Sequence, residues 1–263
     1  MKRFAILGYP LGHTLSPKLH RLLAEQLGEQ IEYSICAIPP EELEEHFEEL
    51  FCMDGFNITI PYKVRLMEQL DRLDTSARNH GAVNVVSIAA DGKRCGYNTD
   101  CVGFVRTMQS HGVPIAGRVC VLGAGGVGRM FATECALRGC TVTLAVRAAS
   151  MEAAEQVAAH IRSLDAQAKV EVMDIERLDG SQAYELMINA TPVGMYPNVQ
   201  HSPVDERALR SVNYNGFISL TWSPEWCPEI SELEIILPQF ESWSGRQQQR
   251  RKSGSDAPLA TVR

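Results

Sequence analysis

A lysine, an aspartate and a group of short hydroxyl and amide side chains fall beside strand ends in the first hundred residues. The stretch "GFNITIPYK" (55–63) alternates Phe56, Ile58 and Ile60 with Asn57 and Thr59. Strand side chains alternate faces, so the first three read as a core face and the other two as a polar face. Pro61 lacks an N–H donor and ends the ladder, which leaves Lys63 just past the polar edge. Three further sets are candidates to meet it: Thr14 and Ser16 in "GHTLSP", Asn84 in "GAVN", and Asn98, Thr99 and Asp100 in "GYNTD". Each has a plain structural alternative. Ser16 reads equally as the N-cap of the helix that follows, Asn98 and Asp100 as turn formers, Asn84 as a bend residue and Lys63 as a surface charge. Together they offer what recognition of a small polyhydroxylated acid requires. A Lys63–Asp100 pair could also handle the proton that accompanies hydride transfer to a carbonyl. Asp100 would orient Lys63, and Lys63 would polarise or protonate the developing alkoxide.

A second chemical signal lies in "VCVLGAGGVGRM", where Gly123, Ala124, Gly125, Gly126, Val127 and Gly128 follow a strand and open a helix. Glycines permit a sharp turn and close approach of a pyrophosphate, whose charge then sits at the helix N-terminus. Purely structural glycine turns also exist, so the strand–turn–helix context carries the dinucleotide reading. The next strand ends in "LAVRAAS", with no acid to bind a ribose 2′-hydroxyl. Arg147 stands there instead, and a guanidinium suits a 2′-phosphate, so the expected cofactor is NADP. In "INATPVGM", Asn189, Ala190 and Thr191 fall at the carboxyl edge of a later strand, where the cofactor crevice of a wound sheet lies.

The elements that must position these residues follow from periodicity and punctuation. "RFAILG", "IEYSICAI" and "GFNITI" read as strands. "SPKLHRLLAEQLG" reads as a helix with Ser16 as N-cap, Pro17 in the first turn and Gly28 as stop. "PPEELEEHFEELF" reads as a helix with Leu43, Phe47 and Leu50 on one face and a solvated glutamate face. "GAVNVVSIAA" and "CGYNTD" form a predicted hairpin around Asp91-Gly92. From Gly117 strands and helices alternate: "RVCVLG", "RMFATECALRG", "CTVTLAVR", "SMEAAEQVAAHIRSL", "KVEVMDI", "YELMIN". That rhythm predicts a parallel wound sheet. The fold class is therefore α/β in two domains: a substrate-binding and catalytic domain over 1–101, and a Rossmann-type domain over 102–245. Residues 246–263, polar and basic, are expected to be a disordered tail.

Bulk composition narrows the class. Of 263 residues, 45% are hydrophobic and 22% charged, an ordinary globular balance. The formal net charge of −7 speaks against a nucleic-acid partner. None of the eight cysteines sits in a C-x-x-C pair, so no metal site is expected. "MKRFAILGYP" is not a signal peptide, and no apolar run approaches the roughly 20 residues of a membrane span. A cytoplasmic location is expected.

With these stretches placed, the chain resembles the shikimate dehydrogenase family from residue 3 to about residue 216. The resemblance rests on "GYPLGHTLSPKLH", "GFNITIPYK", "GAVN", "GYNTD", "GAGGVGR" and "INATPVGM" occurring in family order. It implies reduction of 3-dehydroshikimate to shikimate with NADPH, and an active site between a substrate domain and a Rossmann-type domain. Lys63 and Asp100 match the catalytic pair. Thr14, Ser16, Thr59, Asn84 and Asp100 match substrate contacts, with Asn57 and Asn98 beside them. Gly123 to Val127 match the pyrophosphate loop, and Arg147 the 2′-phosphate arginine, although Val146 and Ala148 replace its usual Asn and Thr neighbours. Asn189, Ala190, Thr191 and Leu220 complete the cofactor set. The C-terminal part departs from the family. Trp222 in "FISLTWSPEWCP" stands where a tyrosine belongs, and the Gly-x-x-Met-Leu loop and the substrate glutamine are absent. Gln239, beside Phe240, falls too late to replace that glutamine, and a segment of roughly four helical turns is lost. Two alternatives stay open: a quinate/shikimate dehydrogenase of wider specificity, and a relative that binds nucleotide or substrate with little turnover. The expected state is a monomer or homodimer.

Overall fold

The structure is a computed structural model that describes residues 1–12, 14–194, 201–210, 212 and 217–219. The chain divides into two compact units, Met1–Gly103 and Phe104 onward.

The first unit is built on a six-stranded mixed sheet. Its strands are β1 (Lys2–Gly8), β2 (Ile31–Ala37), β3 (Gly55–Ile58), β4 (Arg72–Leu73), β5 (Val85–Ile88) and β6 (Arg94–Tyr97). Their order is β2-β1-β3-β5-β6-β4. β1 is parallel to both β2 and β3, whereas β5 runs antiparallel to β3 and β6. Helix α1 (Ser16–Gln26) links β1 to β2, a crossover that parallel neighbours need. A 3₁₀ turn (Leu43–His46) and short helix α2 (Phe47–Phe51) precede β3, and α3 (Thr75–His80) follows β4. The core gathers Leu7, Leu43, Leu50, Phe56, Ile58, Tyr62, Leu66 and Val86, and each such side chain contributes about 1.5–3 kcal/mol by leaving water.

Three local expectations are corrected. β3 stops at Ile58, and Ile60 is 74% exposed rather than on the core face. A turn closed by the Tyr62 N–H on the Thr59 carbonyl (3.0 Å) shifts the apolar register, so Tyr62, fully buried, fills the position instead. Ser16 is not the N-cap: it is the first helical residue, and Leu15 occupies the cap position without a side-chain bond. The hydroxyl that receives a backbone N–H there is Thr14 Oγ1, from Ser16 N at 3.3 Å. The predicted helix over 39–51 is a 3₁₀ turn followed by one short helix. Glu41, Glu44 and Glu45 face Glu45, Glu48 and Glu49 four residues on, and like charges at that spacing disfavour a continuous helix. The apolar face nonetheless holds, with Leu43 and Leu50 buried. The predicted hairpin is present: β5 pairs with β6, and Gly92 takes φ +80° in the turn between them.

Helix α4 (Asp100–Ser110) leads into the second unit. That unit has a five-stranded parallel sheet of β7 (Arg118–Leu122), β8 (Thr141–Val146), β9 (Lys169–Asp174), β10 (Leu186–Asn189) and β11 (Phe217–Ser219). The order is β11-β10-β7-β8-β9. Helices α5 (Gly126–Leu137) and α6 (Met151–Leu164) provide the crossovers, and α7 (Glu206–Arg210) precedes β11. Val119–Leu122, Val142–Val146 and Leu186–Ile188 are buried throughout, as strands covered on both faces must be. In α6, Ala154, Val157, Ala158 and Ile161 form the buried stripe at helical spacing. Leu220, Trp222, Gln239, the closing segment and the tail lie outside the described residues.

One ion pair ties the two-residue edge strand β4 to β6. The Arg94 side chain donates to Asp71 Oδ2 from Nε (3.0 Å) and to Oδ1 from Nη2 (3.1 Å), and its guanidinium lies 4.6 Å over the Phe51 ring. These bonds from Arg94 hold the Asp71 carboxyl at a pKa of about 2, below its ordinary 3.8. A carboxyl depressed on folding stabilises the fold above its unfolded pKa and loses that effect as pH falls through its folded one. Asp71→Asn is therefore expected to lower Tm at neutral pH. In thermal melts at stepped pH, the gap to the parent chain should close as pH falls from about 4 towards 2.

Candidate active site

Lys63 is placed by hydrogen bonds on both sides of it. Tyr62 sinks into the core and its hydroxyl donates to the Ile38 carbonyl. The Lys63 carbonyl accepts the Val83 N–H at 2.7 Å. Asn84 lies just ahead of β5, where its N–H donates to Tyr97 O (2.9 Å) and its carbonyl accepts from Ile58 N (2.8 Å). The ends of β3, β5 and β6 thus converge on one short stretch of backbone.

The side chains at this convergence form a closed set. Lys63 Nζ donates to Asp100 Oδ2 at 2.6 Å, with the two side chains 28% and 39% exposed. Asn84 Nδ2 donates to Asp100 Oδ1 (2.7 Å) and to Thr99 Oγ1 (3.0 Å), while Asn84 Oδ1 accepts the Thr99 N–H at 2.8 Å. Asp100 opens α4, where the unpaired N–H groups of the first turn favour a carboxylate. Each carboxylate oxygen therefore has a fixed donor, and the ammonium is held by a charge-assisted bond. Such an arrangement can present a proton to an oxygen and take it back.

Asn98 belongs to the same loop but its groups are spent within the chain. Its N–H donates to Ser76 Oγ (3.0 Å), its Nδ2 to Ala82 O (3.2 Å), and its Oδ1 accepts the Asp100 N–H (3.1 Å). At 3% exposed it braces the turn that delivers Asp100. Thr59 is half-buried, with its methyl group against Gly8.

The remaining candidates form a second group. Thr14 Oγ1 donates to Ser16 Oγ at 3.2 Å. Asn57 Oδ1 accepts from the Tyr33 hydroxyl at 2.6 Å. The His20 ring stacks on Tyr33, 4.6 Å between centroids. Burial pushes the Tyr33 phenol well above its ordinary pKa and lowers that of His20. Tyr33 and His20 are absent from the set read in the sequence. The available signal was a tyrosine inside the apolar strand "IEYSICAI", because a buried phenol needs a polar partner.

In the second unit, the short turn 123–125 joins β7 to α5, which starts at Gly126. Gly123 takes φ +97°, a conformation that favours glycine. A Cβ at Gly128 would run into the Gly123 carbonyl, so the helix packs on the turn only because that residue is glycine. Gly125 and Gly126 differ: both are exposed, and a Cβ at either would meet nothing within 4 Å. Packing does not demand glycine there, whereas close approach of a phosphate to bare backbone N–H groups does. Ala124 is half-buried and Val127 exposed. Arg147 is exposed at the end of β8. β10 lies beside β7 on the side away from β8, so the strand order reverses at this turn, the place where wound sheets bind ligands. Ala190 follows β10, its N–H on Leu122 O at 2.9 Å. Asn189 is 1% exposed, accepting from Thr191 N (2.9 Å) and Thr191 Oγ1 (2.7 Å) and donating to Val193 O (3.0 Å). It shapes the loop that presents Ala190 and Thr191.

A wound parallel sheet with this glycine turn, together with an α/β unit carrying a Lys–Asp pair, is the class of two-domain oxidoreductases. Residues 6–86 match the family model for the shikimate dehydrogenase substrate binding domain, and residues 119–193 match that for ketopantoate reductase PanE/ApbA. The shikimate dehydrogenase (NADP(+)) of Bacillus cereus (strain B4264) is 35% identical over 261 residues, covering 92% of each chain. The shikimate 5-dehydrogenase of Thermus thermophilus, solved in complex with NADP(H) and shikimate, superposes with a TM-score of 0.73 at 30% identity over 85% of this chain and 80% of that one. The Listeria monocytogenes enzyme, solved with shikimate and NAD, gives 0.77 at 25% identity over 89% and 82%. The chain belongs to the shikimate dehydrogenase family.

The two kinds of glycine in the turn are separable by stability. Gly128→Ala is expected to destabilise by about 1–3 kcal/mol through overpacking. Gly126→Ala, on open helical backbone, should leave Tm unchanged or raise it, by about 0.4–1 kcal/mol at most. Thermal unfolding of the two variants checks the contrast.

Proposed function

We propose that the chain catalyses the reversible, NADP-dependent reduction of 3-dehydroshikimate to shikimate, a step in aromatic amino-acid biosynthesis. The observation that carries the reading is the Lys63–Asp100 bond at 2.6 Å, with Asn84 on the other carboxylate oxygen. NADPH supplies the hydride. Lys63 Nζ donates to the carbonyl oxygen of the substrate and passes it a proton as the alkoxide forms. Asp100 keeps Nζ in place, and Asn84 keeps Asp100 from turning. In the direction of oxidation Lys63 takes the proton from the shikimate hydroxyl.

The first unit is the substrate domain in this reading, with Thr14, Ser16, Asn57, Thr59 and Asn84 contacting the hydroxyls and carboxylate beside Asp100. Asn98 serves the site by bracing Asp100. The second unit is the NADP domain. Gly123, Ala124, Gly125, Gly126 and Val127 would hold the pyrophosphate, and Arg147 would meet the 2′-phosphate. Ala190 and Thr191, on a loop that Asn189 shapes, would flank the nicotinamide when NADP is bound. The bare backbone at Gly125 and Gly126 supports this fit. The absence of an acid among Val146, Arg147 and Ala148 supports NADP over NAD. The seven described cysteines are all free, and among the described residues no helix is long and apolar enough to cross a membrane. The enzyme is read as cytoplasmic, acting as a monomer or homodimer.

The test is NADPH formation from shikimate, run beside quinate and beside NAD. Selective turnover of shikimate with NADP is expected. Equal turnover of quinate would favour the broader enzyme, and NADPH binding without turnover would favour a binding-only relative. Lys63→Ala should lower kcat by about 10²–10⁴-fold while leaving NADPH affinity unchanged, as loss of an acid–base group does. Turnover intact in that variant would remove Lys63 from the chemistry.

A further inference from the structure

Two separate parts of the substrate site are joined by Tyr33. This residue lies on β2, is 3% exposed, and gives its hydroxyl proton to Asn57 Oδ1 at 2.6 Å. Upstream, Thr14 Oγ1 donates to Ser16 Oγ at 3.2 Å in the first turn of α1, the helix whose His20 stacks on the Tyr33 ring. A hydroxyl has one proton to give. The Tyr33 phenol gives that proton to Asn57 Oδ1.

The consequence falls on the Asn57 amide. Its oxygen is occupied, and among the described residues its Nδ2 has no hydrogen-bond partner. The oxygen and nitrogen of an amide are nearly alike in shape, so only hydrogen bonding decides which end faces out. His20, one turn beyond Ser16 on α1, stacks on the Tyr33 ring with the planes 15° apart and holds the phenol in place. We propose that Tyr33 is a positioning residue for the substrate: it fixes the Asn57 amide with Nδ2 outward, as a donor to an acceptor oxygen of the ligand. Through the His20 stack it also ties that donor to α1, whose first turn carries Ser16. Burial keeps the phenol protonated into the alkaline range, so the direction of donation does not reverse near neutral pH. The inference rests on the shikimate reading above and adds to it a residue that touches no substrate.

The test uses the full chain with Tyr33→Phe, which keeps the ring and its stack with His20 and removes only the proton. The KM for shikimate is expected to rise about tenfold, the loss of one buried hydrogen bond. The kcat and the KM for NADP should stay close to those of the parent, while Tm falls by about 2–4 °C for the lost buried hydrogen bond. In an Asn57→Ala background the same change should raise KM no further, because the two residues act as one unit. A Tyr33→Phe variant with parental KM would overturn the proposal. So would a fall in kcat and Tm with KM unmoved, which marks a purely structural role. The Asn57 side-chain amide NMR signal of the parent chain, assigned with Asn57→Ala, gives a readout that no folding defect of Tyr33→Phe can obscure. It should shift on adding shikimate, and a signal that does not move overturns the proposal. If the parent chain neither turns over nor binds shikimate, the functional reading falls and this inference with it. If the parent is active and only the Tyr33 results fail, the inference alone falls.

Discussion

The Asp100 carboxylate must satisfy two side chains at once, and the first unit is arranged around that requirement. One oxygen takes the Lys63 ammonium and the other the Asn84 amide. A partly buried carboxylate with fixed donors on both oxygens cannot rotate, and an ammonium bound to it keeps its place. Lys63 follows β3, Asn84 precedes β5 and Asp100 follows β6, so their meeting depends on the order β3-β5-β6 in the sheet. The backbone bonds that close this corner, Val83 to Lys63 and Asn84 to Tyr97, place the three Cα atoms before any side chain interacts.

The second unit answers a different demand with the same economy of parts. A phosphate needs backbone N–H groups left free, and a helix start after a parallel strand leaves them so. The glycines divide this labour. Gly123 and Gly128 let strand, turn and helix pack closely, whereas Gly125 and Gly126 keep the surface open. Only the second pair has no explanation inside the chain, which is why it speaks for a ligand.

Much of this was legible in the sequence because the decisive signals are local. The glycine turn, the Asp91-Gly92 hairpin and the alternation from Gly117 need only neighbours in the chain. The Lys63, Asn84 and Asp100 motifs sit at strand ends that periodicity locates. What escaped depends on contacts between distant residues or on a single turn. Tyr33 and Asn57 are 24 residues apart and meet only because β1 pairs with both their strands. Ile60 lost its core position to Tyr62 through one turn hydrogen bond. Asn98 read as a site residue because its type and place fit, and only its three spent hydrogen bonds mark it as a brace. Helix α4 went unread because Asn98 to Asp100 also spell a turn.

The most direct measurement is the kcat for shikimate oxidation by Asp100→Asn, taken beside its NADPH affinity. The substitution keeps the shape of the side chain and removes the charge that holds Lys63. The account predicts a fall in kcat of about 10²-fold or more with cofactor binding unchanged. Turnover at the parental rate would contradict it, since Lys63 would then be working without the partner around which the site is built.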